Sequence, residues 1–341
     1  MPLLMDVARL ANVSITTASR VLNGSNHPVS AEKRSRVLLA AQTLNYSPSA
    51  LAKAMVTGNS HIVGVIVGDA TDPYFAQIVR GVEDMARLHG YLVIVCNSDR
   101  FPSVEISYLN TLNDYRVDGV IFAGGGLNNE QYLAGVNQVL QLFHERNAVC
   151  ISLGKHFFPS FPVVVDNQLI IRSAVDYLVN LGHTRIAYIS GPELLTTTSQ
   201  RLAGYQDALQ EHKIKLDNAL IFWGNYRADS GYQAADRIHA MDEKPTAVLA
   251  SNDLMAIGCM SRLKELNTQI PGDISIMGID DIPFAQIVDP PLTTIAIPMY
   301  EMGKVGMECL VKLHQGAELD PQGLVLTHRL IVRKSTGPPG R

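Results

Sequence analysis

Residues 6 to 24 read Asp-Val-Ala-Arg-Leu-Ala-Asn-Val-Ser-Ile-Thr-Thr-Ala-Ser-Arg-Val-Leu-Asn-Gly. The spacing predicts two short amphipathic helices joined by a tight turn, the arrangement of a helix-turn-helix. Val7, Ala8 and Ala11 pack against Val13, Ala18, Val21 and Leu22 in this reading, which leaves the far side of the second helix free to enter a DNA major groove. Asp6 complements the dipole at the start of the first helix, and Ser14 is placed to cap the second. Ile15, Thr16 and Arg20 then lie on the exposed side. Arg20 can offer two parallel donors to guanine, Thr16 can exchange a hydrogen bond with a base edge, and Ile15 can touch a thymine methyl. Ser14, Thr17, Ser19 and Asn23 suit phosphate contacts or caps, which set register without reading sequence. A third helix is predicted from Ser30, its cap, to about Asn45, with Val37, Leu38, Ala41 and Leu44 turned inward.

Beyond it, Ser47 as cap, Pro48 in the first turn and Gly58 as terminator outline one more short helix, too short to persist alone in water. Charge is uneven around this point. Residues 1 to 60 carry six basic side chains (Arg9, Arg20, Lys33, Arg34, Arg36, Lys53) against Asp6 and Glu32, whereas the remainder carries 22 against 30 within a whole-chain charge of −4. A basic head on an acidic body suits a polyanion-binding module attached to something that does not itself stick to nucleic acid.

At 341 residues the chain is long enough for two or three domains. Cys96, Cys150, Cys259 and Cys309 lie far apart in mostly apolar surroundings and read as buried free thiols, not as disulfides or zinc ligands. No apolar run reaches the roughly 18 residues of a membrane span, and no signal-peptide pattern is evident. These features predict a cytoplasmic protein without cofactor or metal.

The opening stretch resembles, nearly residue by residue, that of the lactose-repressor/galactose-repressor (LacI/GalR) family, which runs D-V-A-x-x-A-x-V-S-x-x-T-x-S-R-V-x-N. The likeness continues in Asn-Tyr-Ser-Pro-Ser-Ala-Leu-Ala at 45–52, Arg-Val-Asp-Gly-Val-Ile at 116–121 and Leu-Gly-His-Thr-Arg-Ile-Ala-Tyr-Ile at 181–189. It returns in Arg-Leu-Ala-Gly-Tyr at 201–205, Ser-Asn-Asp-Leu-Met-Ala-Ile-Gly at 251–258, Gly-Ile-Asp-Asp-Ile-Pro at 278–283 and Pro-Pro-Leu-Thr-Thr-Ile at 290–295. The resemblance implies that residues 47–60 fold on operator DNA, pair with their twin across a dimer axis and lever an apolar side chain into the minor groove. Met55 falls at that wedge position, where a Leu is usual, and Ala52 in the closely packed hinge face.

From Ile62 onward, apolar runs of strand length (62–67, 92–96, 119–122, 148–153, 186–189, 247–250, 274–279) alternate with helical stretches such as 73–89, 169–181 and 252–266. This alternation predicts parallel sheets in doubly wound layers, with too many strands for one sheet. The expected fold class is an N-terminal all-α helix-turn-helix head (1–46), a hinge (47–60) and an α/β body (61–341) of two doubly wound parallel-sheet lobes. The lobes are placed at about 61–160 plus 291–322 and about 162–289 plus 324–335. By resemblance, this body is of the periplasmic-binding-protein type I, in which a small molecule occupies the cleft and hinge closure reports it.

Ligands of such sheets bind outside the C-terminal ends of the strands. The loop after the first strand presents Asp69, Tyr74 and Phe75. Arg201 opens its motif, Asn252 follows a strand, and Asp280 follows another. The resemblance places Tyr74, Phe75, Arg201, Asn252 and Asp280 around the effector, with Tyr226 as an aromatic face. Charged and amide groups with an aromatic face suit a sugar's hydroxyls and ring. Leu195 stands where the purine-responsive branch carries an Arg, which argues against a purine. Gly154-Lys155-His156 stand where many sugar-responsive members carry an acidic or Asp-Arg-like pair, and Lys155 offers a contact for an anion such as a phosphate or carboxylate there.

The expected function is a ligand-responsive, sequence-specific transcriptional regulator, a repressor of carbohydrate-utilisation genes that binds a near-palindromic operator as a homodimer. Control by a phosphorylated carrier protein, or by a non-sugar anionic metabolite, is the alternative input. A sugar transport receptor fits the body alone but not the head. An enzyme is disfavoured. Gly124-Gly125-Gly126 lacks dinucleotide-loop spacing, and the chain holds no nucleophile elbow, phosphate-binding P-loop or His-Glu-x-x-His motif.

Overall fold

Three helices form the head of this computed structural model, which describes residues 2–23, 27–46 and 59–340. They are α1 (Leu4–Leu10), α2 (Ile15–Leu22) and α3 (Ala31–Thr43). Ser14 caps α2: its Oγ accepts the Thr17 N–H at 3.1 Å. Ser30 caps α3, accepting from the Lys33 N–H. Each helix is too short to be stable alone, so their shared core of Val7, Ala8, Ala11, Ala18, Val21, Val37, Ala40 and Ala41 has to supply the stability. Leu38, expected inside, is 52 % exposed. Val37, Ala40, Ala41 and Leu44 lie on one face at i, i+3, i+4 and i+7, and Leu38 falls about a quarter turn away. The hinge residues Ala52 and Met55 lie outside the described residues.

The body contains two six-stranded sheets. The first lobe is built from β1 (Ile62–Val67), α4 (Pro73–Leu88), β2 (Leu92–Asn97), α5 (Pro102–Asp114), β3 (Gly119–Ala123), α6 (Glu130–Glu145), β4 (Val149–Leu153) and β5 (Phe161–Val165). The second follows with α7 (Asn167–Asn180), β6 (Ile186–Ser190), α8 (Thr196–Glu211), β7 (Ile221–Trp223), α9 (Ala228–His239), β8 (Ala247–Ala250), α10 (Asp253–Glu265), β9 (Ser275–Asp280) and β10 (Thr293–Ala296). Helix α11 (Met299–His314) returns to cover the first lobe, β11 (Leu324–Leu326) joins the first sheet, and β12 (Arg329–Ile331) joins the second. The sheet orders are β11-β5-β4-β3-β1-β2 and β12-β10-β9-β8-β6-β7, parallel except where β12 pairs antiparallel with β10.

Strands such as β3, β6 and β8 are almost wholly buried, which explains why they read as continuous apolar runs and not as alternating ones. The lobe boundaries differ from expectation. Phe161–Val165 belongs to the first sheet although the second lobe was expected from 162, Thr293–Ala296 belongs to the second sheet, and Leu324–Leu326 belongs to the first. An apolar run marks a strand, but which edge it hydrogen-bonds is decided by tertiary pairing. Among the described residues no helix is long and apolar enough to cross a membrane.

Candidate functional site

On the head, α2 presents Ile15, half exposed, next to exposed Thr16, with Arg20 one turn later and no ion pair to it among the described residues. Ala18 and Val21 on the opposite side are in the core, so burial alone decides which face is left for a partner. The hydroxyl-bearing residues rigidify the helix ends: the Ser14 and Thr17 hydroxyls lie 2.9 Å apart, and the Asn23 amide donates to Ser19 Oγ at 3.1 Å.

In the body, the loops leaving the C-terminal ends of the parallel strands meet around one cavity between the two sheets. It encloses about 690 Å³ of space not filled by atoms, partly open to solvent. Arg201, from the first turns of α8, lies on its wall with 3 % of its surface exposed. Its Nε donates to Asn167 Oδ1 at 2.9 Å, one terminal nitrogen donates to the Ser251 carbonyl, and the other lies 3.6 Å from Asp280 Oδ1. That last separation is an ion-pair distance but too long for a hydrogen bond, and Asp280 Oδ1 is buried with no donor. Burial pushes the Asp280 carboxyl well above the usual carboxylate range, more than Arg201 draws it back. Burial alone would lower the Arg201 pKa, but Asp280 and the surrounding tyrosines hold it up, so the guanidinium stays charged.

Aromatic rings line the same space. Tyr74 and Phe75 meet edge to face with centroids 5.1 Å apart. Tyr226 faces them from the second lobe, its hydroxyl 3.0 Å from Thr198 Oγ1. His156 packs between Phe122 and Phe158, with its Nε2 3.1 Å from the Gly124 carbonyl. A carbonyl only accepts, so Nε2 carries the proton and Nδ1 is a bare acceptor without a partner. Burial pushes the His156 pKa down to about 4.

The two lobes also touch directly beside this cavity. Thr196 N–H donates to the Gly126 carbonyl at 2.9 Å, and its hydroxyl to the Lys155 carbonyl at 2.7 Å. Asn128 N–H reaches the Leu194 carbonyl at 2.9 Å. The glycines at 124–126 permit this approach: a Cβ on Gly125 would come within 2.2 Å of Thr197 Oγ1 and 2.9 Å of the Thr197 nitrogen. At the rim, Arg227 of the second lobe also pairs with Asp69 of the first at 2.9 Å.

A helix-turn-helix head and a two-lobed cleft body are both shared with known proteins. Residues 3–49 match the family described as bacterial regulatory proteins, lacI family, and residues 175–336 match a periplasmic binding protein-like domain. The HTH-type transcriptional repressor PurR of Vibrio vulnificus is 33% identical over 333 residues, covering 98% of each chain. The chain belongs to the lacI family of bacterial regulatory proteins. Catabolite control protein A of Priestia megaterium is also 33% identical, over 97% of this chain and 98% of its own. The crystal structure of the lac repressor dimer bound to operator and the anti-inducer ONPF matches with a TM-score of 0.85 at 29% identity, covering 98% of this chain and 99% of that one. This lacI-family protein is therefore a DNA-binding transcriptional regulator with an effector-binding body.

In this lacI-family chain Tyr74, Phe75, Arg201, Tyr226, Asn252 and Asp280 all line one cavity. Asn252 is largely engaged, since it caps α10 through the Met255 N–H and donates to the Tyr226 carbonyl. Asp69 departs from expectation: it lies at the rim, occupied by Thr71 and Arg227, and does not line the cavity. Lys155 is exposed, its ammonium 5.7 Å from the Phe157 ring centroid and off the lining. Sequence reasoning missed Asp72, Arg100, Glu105, His156 and Thr197, which do line it. Most stand just past the end of a parallel strand or open the next helix, and attention to every such loop would have found them.

Proposed function

We propose that this regulator is a repressor that binds a near-palindromic operator as a homodimer and responds to a small hydroxylated molecule of the carbohydrate class held in the cleft. The observation that carries the effector reading is the buried Arg201–Asp280 pair with Asp280 Oδ1 unfilled, set beside the Tyr74, Phe75 and Tyr226 rings. A ligand hydroxyl donating to Oδ1 fills the empty acceptor, and the rings supply apolar faces for a sugar ring. Contacts from both lobes mean that occupancy favours the closed arrangement, which links the cleft to the head by population shift.

On DNA, Arg20 serves as the guanine reader, Thr16 as a base-edge contact and Ile15 as the thymine-methyl contact. Ser14, Thr17, Ser19 and Asn23 fix register on phosphates, and Met55 of the hinge wedges into the minor groove at the dimer axis, with Ala52 in the closely packed hinge face. The lac repressor neighbour is a dimer bound to operator and an anti-inducer, which supports the dimeric, ligand-modulated reading.

The test has two parts. Thermal unfolding against a panel of sugars identifies a binder by a raised midpoint, because a ligand selective for the native state stabilises by mass action. Fluorescence anisotropy on genomic fragments, with and without that binder, then reads operator affinity. A binder that changes affinity for one palindromic fragment supports the proposal. A sequence-independent affinity unaffected by any sugar overturns it.

A further inference from the structure

Arg100, in the loop after β2, lines both the central cavity and the adjoining opening beside Asp69 and Arg227. Its Cζ lies 5.7 Å from the Phe75 ring centroid in the first lobe and 5.6 Å from that of Tyr226 in the second. These cation–π contacts draw on the ring faces and consume none of the five guanidinium N–H donors. Among the described residues no acceptor or carboxylate pairs with that guanidinium, although its own backbone N–H is tied to Ser98 Oγ at 3.1 Å.

The nearby carboxylates hydrogen-bond to other groups, although Asp72 and Glu105 both feel the Arg100 charge. Asp72 accepts the Tyr74 N–H, Glu105 takes the Ser98 and Tyr132 hydroxyls, and Asp69 takes Thr71 and Arg227. Arg201 is likewise committed, to Asn167, Ser251 and Asp280. Among the described residues Arg100 is therefore a cavity-lining cation with uncommitted donors, and it is held in place. Asp99 and Arg100 both adopt left-handed backbone (φ 49° and 61°), and the two rings flank the side chain. A half-buried guanidinium with free edges matches an oxyanion, which it can grip with two parallel charge-assisted hydrogen bonds.

We propose that Arg100 selects an effector bearing an acidic substituent, a carboxylate or a phosphate, on a hydroxylated frame. The inference rests on the reading of the cleft as a carbohydrate-class effector site and deepens it. The hydroxylated frame meets Asp280 and the second lobe, and the oxyanion meets Arg100 from the first. The molecule thus spans the lobes, and its charge sets which sugars are read.

Calorimetry on the full-length protein tests this with matched probes: glucose and galactose, their uronates, and their 6-phosphates. The expected result is that one acidic probe binds about tenfold or more tighter than its neutral parent, with the excess shrinking as salt is raised. Whether the uronate or the phosphate gains shows which oxyanion fits. In Arg100→Gln the ratio of acidic to neutral affinity falls to about one. Neutral sugars binding as tightly as their acidic partners, or an unchanged ratio in Arg100→Gln, overturns the assignment and leaves Arg100 as a lobe clamp only. Binding of none of the probes overturns the carbohydrate-class reading itself and this inference with it. If Arg100→Gln does not fold, the wild-type comparison of each acidic probe with its parent still decides the matter.

Discussion

The Asp69 carboxylate and the Arg227 guanidinium meet at 2.9 Å across the rim of the cleft, one from each lobe. Burial alone would raise the Asp69 pKa, but hydrogen bonds from Thr71 and the charge of Arg227 hold it below the usual value. With Arg227 59 % exposed, a pair of this kind contributes at most about 1 kcal/mol. Asp69→Asn is expected to weaken effector binding by no more than about fivefold, as read by calorimetry. A loss of a hundredfold would instead mean that Asp69 touches the effector, as the sequence suggested.

Gly125 is the close-contact point of the two lobes. In Gly125→Ala the new methyl meets Thr197 at its backbone nitrogen, which cannot rotate away, so the lobes must part. Overpacking of this kind costs roughly 1–3 kcal/mol, here charged against the closed arrangement. Effector affinity should fall by about tenfold or more while the head keeps its helical signal and thermal stability. Unchanged affinity would show that the loop shifts without separating the lobes.

Effector binding should depend on pH through Asp280. Burial raises its pKa in the free protein, and Arg201, Asp253 and Asp72 are the charged groups that act on it. A ligand hydroxyl donating to Oδ1 favours the ionised carboxylate, so binding releases a proton. Affinity therefore rises as pH rises through the free-protein pKa and falls as pH drops below it. His156, pushed down to about 4, stays neutral through neutral pH and does not blur the effect there. Calorimetry in two buffers of different ionisation enthalpy measures the released proton, and Asp280→Asn should abolish it. Binding without proton release would place the ligand's donors elsewhere.

On the head, Arg20→Ala should cost roughly 1–3 kcal/mol of operator affinity and relax base preference at one position per half-site. Binding titrations against single-base operator variants read this directly. A uniform loss across all variants would reassign Arg20 to a phosphate.

The head was legible because its chemistry is local. Ser14 caps the helix that follows it, and the buried positions Val7, Ala18 and Val21 recur at helical spacing within one short stretch. The alternation of strands and helices was legible for the same reason. Arg201 and Asp280 were recognisable from motifs of the family, yet their pairing at 3.6 Å joins residues far apart in the chain. His156 and Arg100 escaped notice because neither stands in a motif, and their surroundings are assembled from other loops. The strands β5, β10 and β11 were misassigned because an apolar run carries no local mark of which sheet it joins.

From its amino acids alone this chain specified a DNA-reading helix pair and a body of parallel strands, since capping, periodicity and apolar runs act over a few residues. Tertiary structure alone decided that Asp69 would latch the rim and not line the cavity, that Asp280 would be left with an empty acceptor, and that Arg100 would stand between the rings of two lobes. Burial and partnership are properties of neighbours in space, and here those neighbours come from distant loops gathered at the ends of two sheets.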